Sequence, residues 1–335
     1  MKKKIVISEK VTAVMLAAAM AISMTACGSP AKDMQGAAET AADRETSAVE
    51  TVSEIAGNTT ESTENAATDA EILVAEDPDT EITASNENTD IKVTVEDQKE
   101  EKKNDAGEVL VTISVQKATI EDSGYDALQK VLDQQSADTY ELAQEAWGDM
   151  QAFLEDNDWE TTGSLYGIED TISMKRGDDR IFSYVTTDYS YLGGAHPNFV
   201  YNGYNYDTKT GKRLTLRDVT EDYDSLYAQV LDTLRAFQEE QEDFMFFEDY
   251  EDTVKGMFYG FSAEEDLEDS DMTAADREET PDTAGTASDI DNIQWYLTDD
   301  ELVVIFNRYD IAAYVFGPTA VKIPFETGLV KEIYS

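Results

Sequence analysis

The chain has one histidine in 335 residues, and it lies in the run Tyr191-Leu192-Gly193-Gly194-Ala195-His196-Pro197-Asn198. Imidazole is the side chain best suited to general-base work near neutral pH, so a Ser-His-Asp or Cys-His hydrolase built on this chain must use His196. The partners for that chemistry do not accompany it. No Gly-x-Ser-x-Gly elbow occurs, and the only cysteine, Cys27, closes an export signal. Gly193 and Gly194 can take φ > 0 or admit another backbone closely. Pro197 fixes its own φ and holds His196 extended. The run therefore reads as a shaped loop in which His196 orders the turn or meets a ligand. Gly193, Gly194, His196, Pro197 and Asn198 are the expected binding residues, with Tyr191 and Tyr201 beside them and Tyr189 and Tyr204 close by in sequence. No catalytic residue is assigned, and the chain is expected not to be an enzyme.

Zinc hydrolysis needs several His or Cys ligands, which one histidine and an anchored cysteine do not supply. Carboxylates suit calcium better. Asp158-x-Glu160-x-Thr162-Gly163, with Glu169 at the twelfth place, partly matches a calcium loop. Its Glu, Thr and Tyr166 are poor choices at ligand places, and the sequence after it reads as a strand. No metal and no cofactor are expected. There is no Walker loop, Rossmann fingerprint or glycosidase signature.

The formal net charge is −47. Residues 125–335 hold 47 Asp and Glu against 14 Lys and Arg, a net −33. Phosphate backbones are repelled by such a surface, so nucleic acid is excluded as a partner and a cationic one fits. All 12 Phe, 3 Trp and 17 Tyr lie from Tyr125 onward. Large apolar groups build cores, so the packed part is expected to begin near there.

The N-terminus reads as an export signal over 1–26. Lys2, Lys3, Lys4 and Lys10 precede an apolar run, and Met24-Thr25-Ala26-Cys27-Gly28 follows. The apolar run is shorter than the ~20 residues of a spanning helix. The pattern resembles the bacterial lipobox, which implies diacylglycerol on Cys27 and a place on the outer face of the cytoplasmic membrane. Residues 27–107 are acidic and lack aromatics, so they read as a disordered tether in which 72–74 and 91–95 can form marginal strands.

The elements that must hold the loop follow by period. Val111-Thr112-Ile113-Ser114-Val115 alternates as a strand. Tyr125, Leu128, Val131 and Leu132 have helical spacing, and a second helix is expected from Asp138 as N-cap with Glu141 at N3. Strands are expected over 165–174, 181–191 and 199–207, with Val200, Tyr204 and Tyr206 on one face. Helices are expected over 223–237 and 244–258. Residues 262–289 read as a mobile acidic insertion. A hairpin over 293–306 and a last strand ending near Pro324 close the chain.

Four runs line up in order: the loop at 191–198, Tyr206-Asp-Thr-Lys-Thr-Gly-Lys212 with Leu216-Arg-Asp-Val219, Leu302-Val-Val-Ile-Phe306, and Tyr309-Asp-Ile-Ala-Ala-Tyr-Val-Phe-Gly317 with Val321-Lys-Ile-Pro324. Together they resemble the extracellular region of the RsiV anti-sigma factor family over 109–335. The resemblance implies an α+β fold of two small mixed helix and sheet domains packed together, 108–207 and 208–335. It also implies an envelope-facing module whose relatives bind lysozyme or precede peptidoglycan deacetylase domains. The cytoplasmic anti-sigma segment and the deacetylase domain have no counterpart here, so those activities do not carry over. Three readings stand. The first is a non-catalytic surface lipoprotein that binds lysozyme or a peptidoglycan component. The second is a wall hydrolase or deacetylase-associated protein using His196 and carboxylates. The third is a structural envelope component.

Overall fold

Alternation and helical period resolve into nine strands and five helices among the described residues of a computed structural model. The structure describes residues 72–335 except 87–88, 105, 157–165, 194, 242 and 261–291. In chain order these are β1 Leu73–Val74, α1 Pro78–Thr83, β2 Val93–Lys103, β3 Val109–Ile120, α2 Asp126–Asp156, β4 Tyr166–Gly177, β5 Ile181–Tyr191 and β6 Asn198–Asp207. Then come α3 Leu216–Val219, α4 Tyr223–Glu240, α5 Tyr250–Tyr259, β7 Gln294–Leu297, β8 Glu301–Phe306 and β9 Thr319–Pro324. The class is α+β, and all of these elements lie within one unit, residues 66–335. Among the described residues no helix is long and apolar enough to cross a membrane.

Two sheets form. One has the order β2-β3-β4-β5-β6, the other β1-β9-β8-β7. Only β3 and β4 run parallel, and α2 is the long crossover that a parallel pair requires. Period 2 sends alternate residues of β7 to opposite faces. Trp295 and Leu297 pack with Leu226, Val230 and Leu234 of α4 and Val254 and Phe258 of α5. Tyr296 turns the other way and shares a core with Val185 and Tyr201 of the first sheet. The layers are thus α2, first sheet, second sheet, then α4 and α5. Where β6 meets β7 the backbones nearly touch, and a Cβ on Gly203 would stand 1.9 Å from Trp295 O. Asn205 Nδ2 donates to that same carbonyl (2.8 Å), and Ser183 Oγ donates to Asn205 Oδ1 (2.7 Å).

Three expectations change. The tether does not reach residue 107. Ile82 of α1 and Ile91 are buried in the fold, and β2 pairs with β3 along its whole length. An aromatic-free, charged stretch can still be an edge strand, because lysines and glutamates on its open side keep other chains from pairing with it. Lys175 ties α1 down by donating to the carbonyls of Glu81 (2.9 Å) and Ala84 (2.5 Å) at its C-terminal end. Burial, partly offset by Glu81, lowers the Lys175 pKa to about 8. The two helices expected around Asp138 are one, α2, and Asp138 accepts from Gln134 a turn earlier (2.7 Å). The helix expected from residue 244 starts at Tyr250. Residues 244–247 are held extended by the Phe246–Ala312 bridge. Residues 1–71 and the whole acidic insertion, 262–289, lie outside the described residues.

Candidate functional site: the His196 loop and its aromatic seat

The loop joins the end of β5 to the start of β6. Gly193 turns the chain at φ +99, a region that favours glycine. Its position has room for a Cβ, so backbone freedom and not space calls for glycine. His196 is exposed, and its ring stacks on Tyr314 with centroids 3.9 Å apart. His196 Nδ1 lies 2.9 Å from Pro197 O, and Tyr309 Oη lies 3.3 Å from Nε2. A carbonyl only accepts, so the proton sits on Nδ1 and the Tyr309 hydroxyl donates to Nε2. Tyr314 Oη also donates to Pro197 O at 3.0 Å. Both ring nitrogens are engaged, and among the described residues neither bonds to a carboxylate or to a Ser, Thr or Cys nucleophile. The arrangement offers stacking surface and hydrogen-bonding groups.

Tyr309 stands at φ 71 and is the one non-glycine residue of positive φ among the described residues. A bulky side chain in that region costs of order 1 kcal/mol or more, and such positions gather at binding and catalytic sites. The residue is 55% exposed. The neighbouring Arg308 supports the cluster from below. Its guanidinium lies 5.3 Å from the Phe199 ring centre and 5.5 Å from that of Tyr314. Arg308 Nη2 donates to both oxygens of Asp79, at 2.8 and 2.7 Å. Tyr201 Oη donates to the same carboxylate.

The expected binding residues divide accordingly. Gly193, His196 and Asn198 are exposed, and Pro197 and Tyr191 are half-buried. Tyr201 is only 2% exposed, which removes it from any contact surface and makes it a support for Asp79. Tyr204 is buried too, stacked on Tyr184 at 5.1 Å beneath α2. Burial, and then the Asp79 bond, push the Tyr201 hydroxyl up to about 12. Gly194 and Cys27 lie outside the described residues. Sequence reasoning missed Tyr309, Tyr314, Arg308 and Asp79 as site residues. The signal available was the Tyr309-to-Gly317 run, which entered only as one of the four runs of the resemblance and carried no assignment of contacts.

A second group of ionisable residues lies under α2. Asp170 and Asp188 face each other across β4 and β5. Parallel pairing of β3 with β4 ends at Val115 and Asp170, and Gln116 Oε1 takes the next free N–H, that of Ile172, at 2.7 Å. The small opening is lined by Gln135, Ser136, Thr139 and Tyr184 and has room for no more than about one water molecule. Thr186 Oγ1 and Asn202 Nδ2 donate to Asp188, at 3.0 and 2.8 Å. Burial, then the bond to Asp188, raises the Asp170 pKa to about 10. Burial raises Asp188 as well. Two desolvated carboxyls this close hold a proton between them. Among the described residues no group of three or more His, Cys, Asp or Glu is gathered as for a metal ion.

The sequence model of a family described as "Protein of unknown function (DUF3298)" matches residues 245–326, the stretch that contains Arg308, Tyr309 and Tyr314. The match falls inside the region whose runs resemble the RsiV family. Two solved structures are similar. A DUF3298 family member from Bacteroides fragilis NCTC 9343 shares 18% identity, covering 73% of this chain and 95% of its own, with a TM-score of 0.42. A DUF3298 family protein from Pseudomonas aeruginosa PAO1 shares 15% identity over 72% and 95%, with a TM-score of 0.39. No curated protein matches the chain.

Proposed function

We propose that this protein is a lipid-anchored binding module on the outer face of the cytoplasmic membrane, and that it captures a basic envelope-active protein, with lysozyme the leading candidate and a peptidoglycan component the next. The observation that carries the reading is the His196–Tyr309–Tyr314 cluster, with His196 and Tyr309 exposed, seated on Arg308 and strained at Tyr309. Rigid aromatic groups on a supported loop are what recognition surfaces use as anchors. The −33 net charge of residues 125–335 steers a basic partner toward it. Charge alone gives association that salt abolishes, with a Debye length of ~8 Å at physiological strength.

The test is calorimetry of residues 28–335 with lysozyme at low and physiological salt. One-to-one binding that persists at the higher salt supports recognition, and binding that disappears leaves only charge attraction. Separately, Cys27→Ala should abolish incorporation of labelled fatty acid, and retained label rejects the anchor. The hydrolase alternative finds its best support in the Asp170–Asp188 pair. Release of soluble fragments from peptidoglycan, lost in Asp170→Asn, would favour it over the binding module.

A further inference from the structure

Residues 239–252 carry eight carboxylates and no lysine or arginine, and in their middle stands Phe244-Met245-Phe246-Phe247. The two halves of this pattern have different causes. Phe246 bridges to Ala312, Phe247 N donates to Ile311 O at 2.9 Å, and the Phe244 ring lies 4.6 Å from that of Phe316. An extended chain sends alternate side chains to opposite sides, so anchoring Phe244 and Phe246 inward sends Met245 and Phe247 out. Nothing in the packing requires the outward pair to be large and apolar. Yet Met245 is 66% exposed and Phe247 38%. On the adjoining segment Val315 is 82% exposed. Three of the seven large hydrophobics exposed among the described residues thus come from two segments bonded side by side. Exposed apolar side chains gathered in this way mark interaction surfaces.

The charge around them selects the occupant. Glu239, Glu240, Asp243, Glu248 and Asp249 are exposed, and among the described residues no Lys or Arg pairs with them. Among the described residues of the run only Glu251 is held, by Arg235 at 2.7 Å. An anionic bilayer or a nucleic acid is repelled by this rim. A ligand must bring apolar side chains for Met245, Phe247 and Val315 and cations for the rim. Methionine adapts its shape to varied apolar partners, which suits a segment of loosely defined sequence.

We propose that residues 243–249, with Val315 beside them, form a docking strip for a cationic amphipathic peptide segment. The peptide lays its apolar face on Met245, Phe247 and Val315, and its lysines or arginines meet the carboxylate rim. The strip does not use the His196 loop, so it stands apart from the lysozyme reading.

The probe is an 18-residue leucine-lysine peptide patterned as an amphipathic helix, titrated into the full chain by fluorescence anisotropy. Oligolysine of equal charge is the control. Saturable one-to-one binding is expected, with oligolysine weaker by roughly tenfold or more, the ratio that 1.4 kcal/mol represents. The double variant Met245→Asp with Phe247→Asp adds two negative charges and removes the apolar contacts. Binding of the peptide should fall at least about tenfold in it, with an unchanged melting temperature because both side chains are exposed. His196→Ala should leave peptide binding as it was. The proposal is overturned by no binding, by oligolysine binding equally well, by a double variant that binds as tightly as the parent, or by loss of peptide binding in His196→Ala. Failure of lysozyme to bind leaves all of these outcomes untouched, so the two readings are separable.

Discussion

Arg308 and Asp79, 229 positions apart in the chain, are joined by two hydrogen bonds from one guanidinium nitrogen. The pair ties α1 to the underside of the His196 cluster. Arg308→Ala strips a largely buried partner from Asp79 and Tyr201 and removes the cation below Phe199 and Tyr314. The expected loss is about 2 kcal/mol, between an exposed pair and a fully buried one. It is to be read as a lower urea midpoint. Arg308→Lys should recover little of it, since an ammonium has no second nitrogen to reach Tyr201 Oη and no planar group to lie against Phe199 and Tyr314. Full recovery by lysine would mean that charge alone matters at this point.

The Asp170–Asp188 pair gives stability a pH dependence of defined sign. Its folded pKa lies above the ordinary carboxylate value, about 10 for Asp170 against 3.8. The folded chain therefore keeps a proton that the unfolded chain releases. The contribution is complete below about pH 4 and is lost as pH rises through the folded value, by up to ~1.4 kcal/mol per pH unit for one proton. Asp170→Asn keeps a hydrogen-bond donor toward Asp188 but cannot titrate. Urea midpoints at pH 5, 7 and 9 should fall less steeply in the variant than in the parent, and parallel profiles would exclude a shared proton.

Gly203→Ala should be severely destabilising for reasons of space. Its Cβ would lie 1.9 Å from Trp295 O and 2.9 Å from Trp295 N. Neither strand can withdraw, because Asn205 holds the Trp295 carbonyl and Gln294 Oε1 accepts from Gly203 N at 3.0 Å. About 3 kcal/mol or more is expected, at the upper end of overpacking costs. Calorimetric melting gives the value, and a loss under 1 kcal/mol would show that the two sheets separate easily here.

His196 and Tyr309 should separate stability from binding. The His196 ring is exposed, so His196→Ala should cost no more than about 1 kcal/mol, a net exposed hydrogen bond and a ring contact. Tyr309→Gly relieves the positive φ and should leave stability equal or raised. Both variants should weaken lysozyme binding in the titration described above. Normal binding with lowered stability in each would make the cluster a structural turn only.

What is legible in the sequence follows from what periodicity encodes. Helix α4 announces itself because one face is buried and its apolar residues recur at the helical period, whereas β5, β6 and the β7–β8 hairpin, covered on both faces, show as short aromatic and β-branched runs bounded by turn residues. The loop at His196 is legible as a shaped turn from its glycines and proline. Tyr201 is misread because its neighbours in sequence cannot reveal Asp79, whose carboxylate draws the hydroxyl inward. Residues 72–103 are misread for a related reason. Their order rests on main-chain pairing with β3 and β9 and on two buried isoleucines, not on a run of large apolar groups. Asp138 looks like a helix start because the sequence contains a cap pattern, yet the chain on both sides of it shares one buried stripe through Leu128, Leu132, Ala143 and Trp147.

Strand β1 has two residues, and both pair with β9, Leu73 with Lys322 and Val74 with Val321. Residues about 250 positions apart must meet to form that edge, a long-range closure of the kind that slows folding. At roughly 5–20 residues per second, synthesis takes far longer than forming a local hairpin, so the first strand waits for nearly the whole chain to be made. The N-terminal edge of the described fold is therefore the last part to be locked, and the second sheet stays open on that side until β9 has been made.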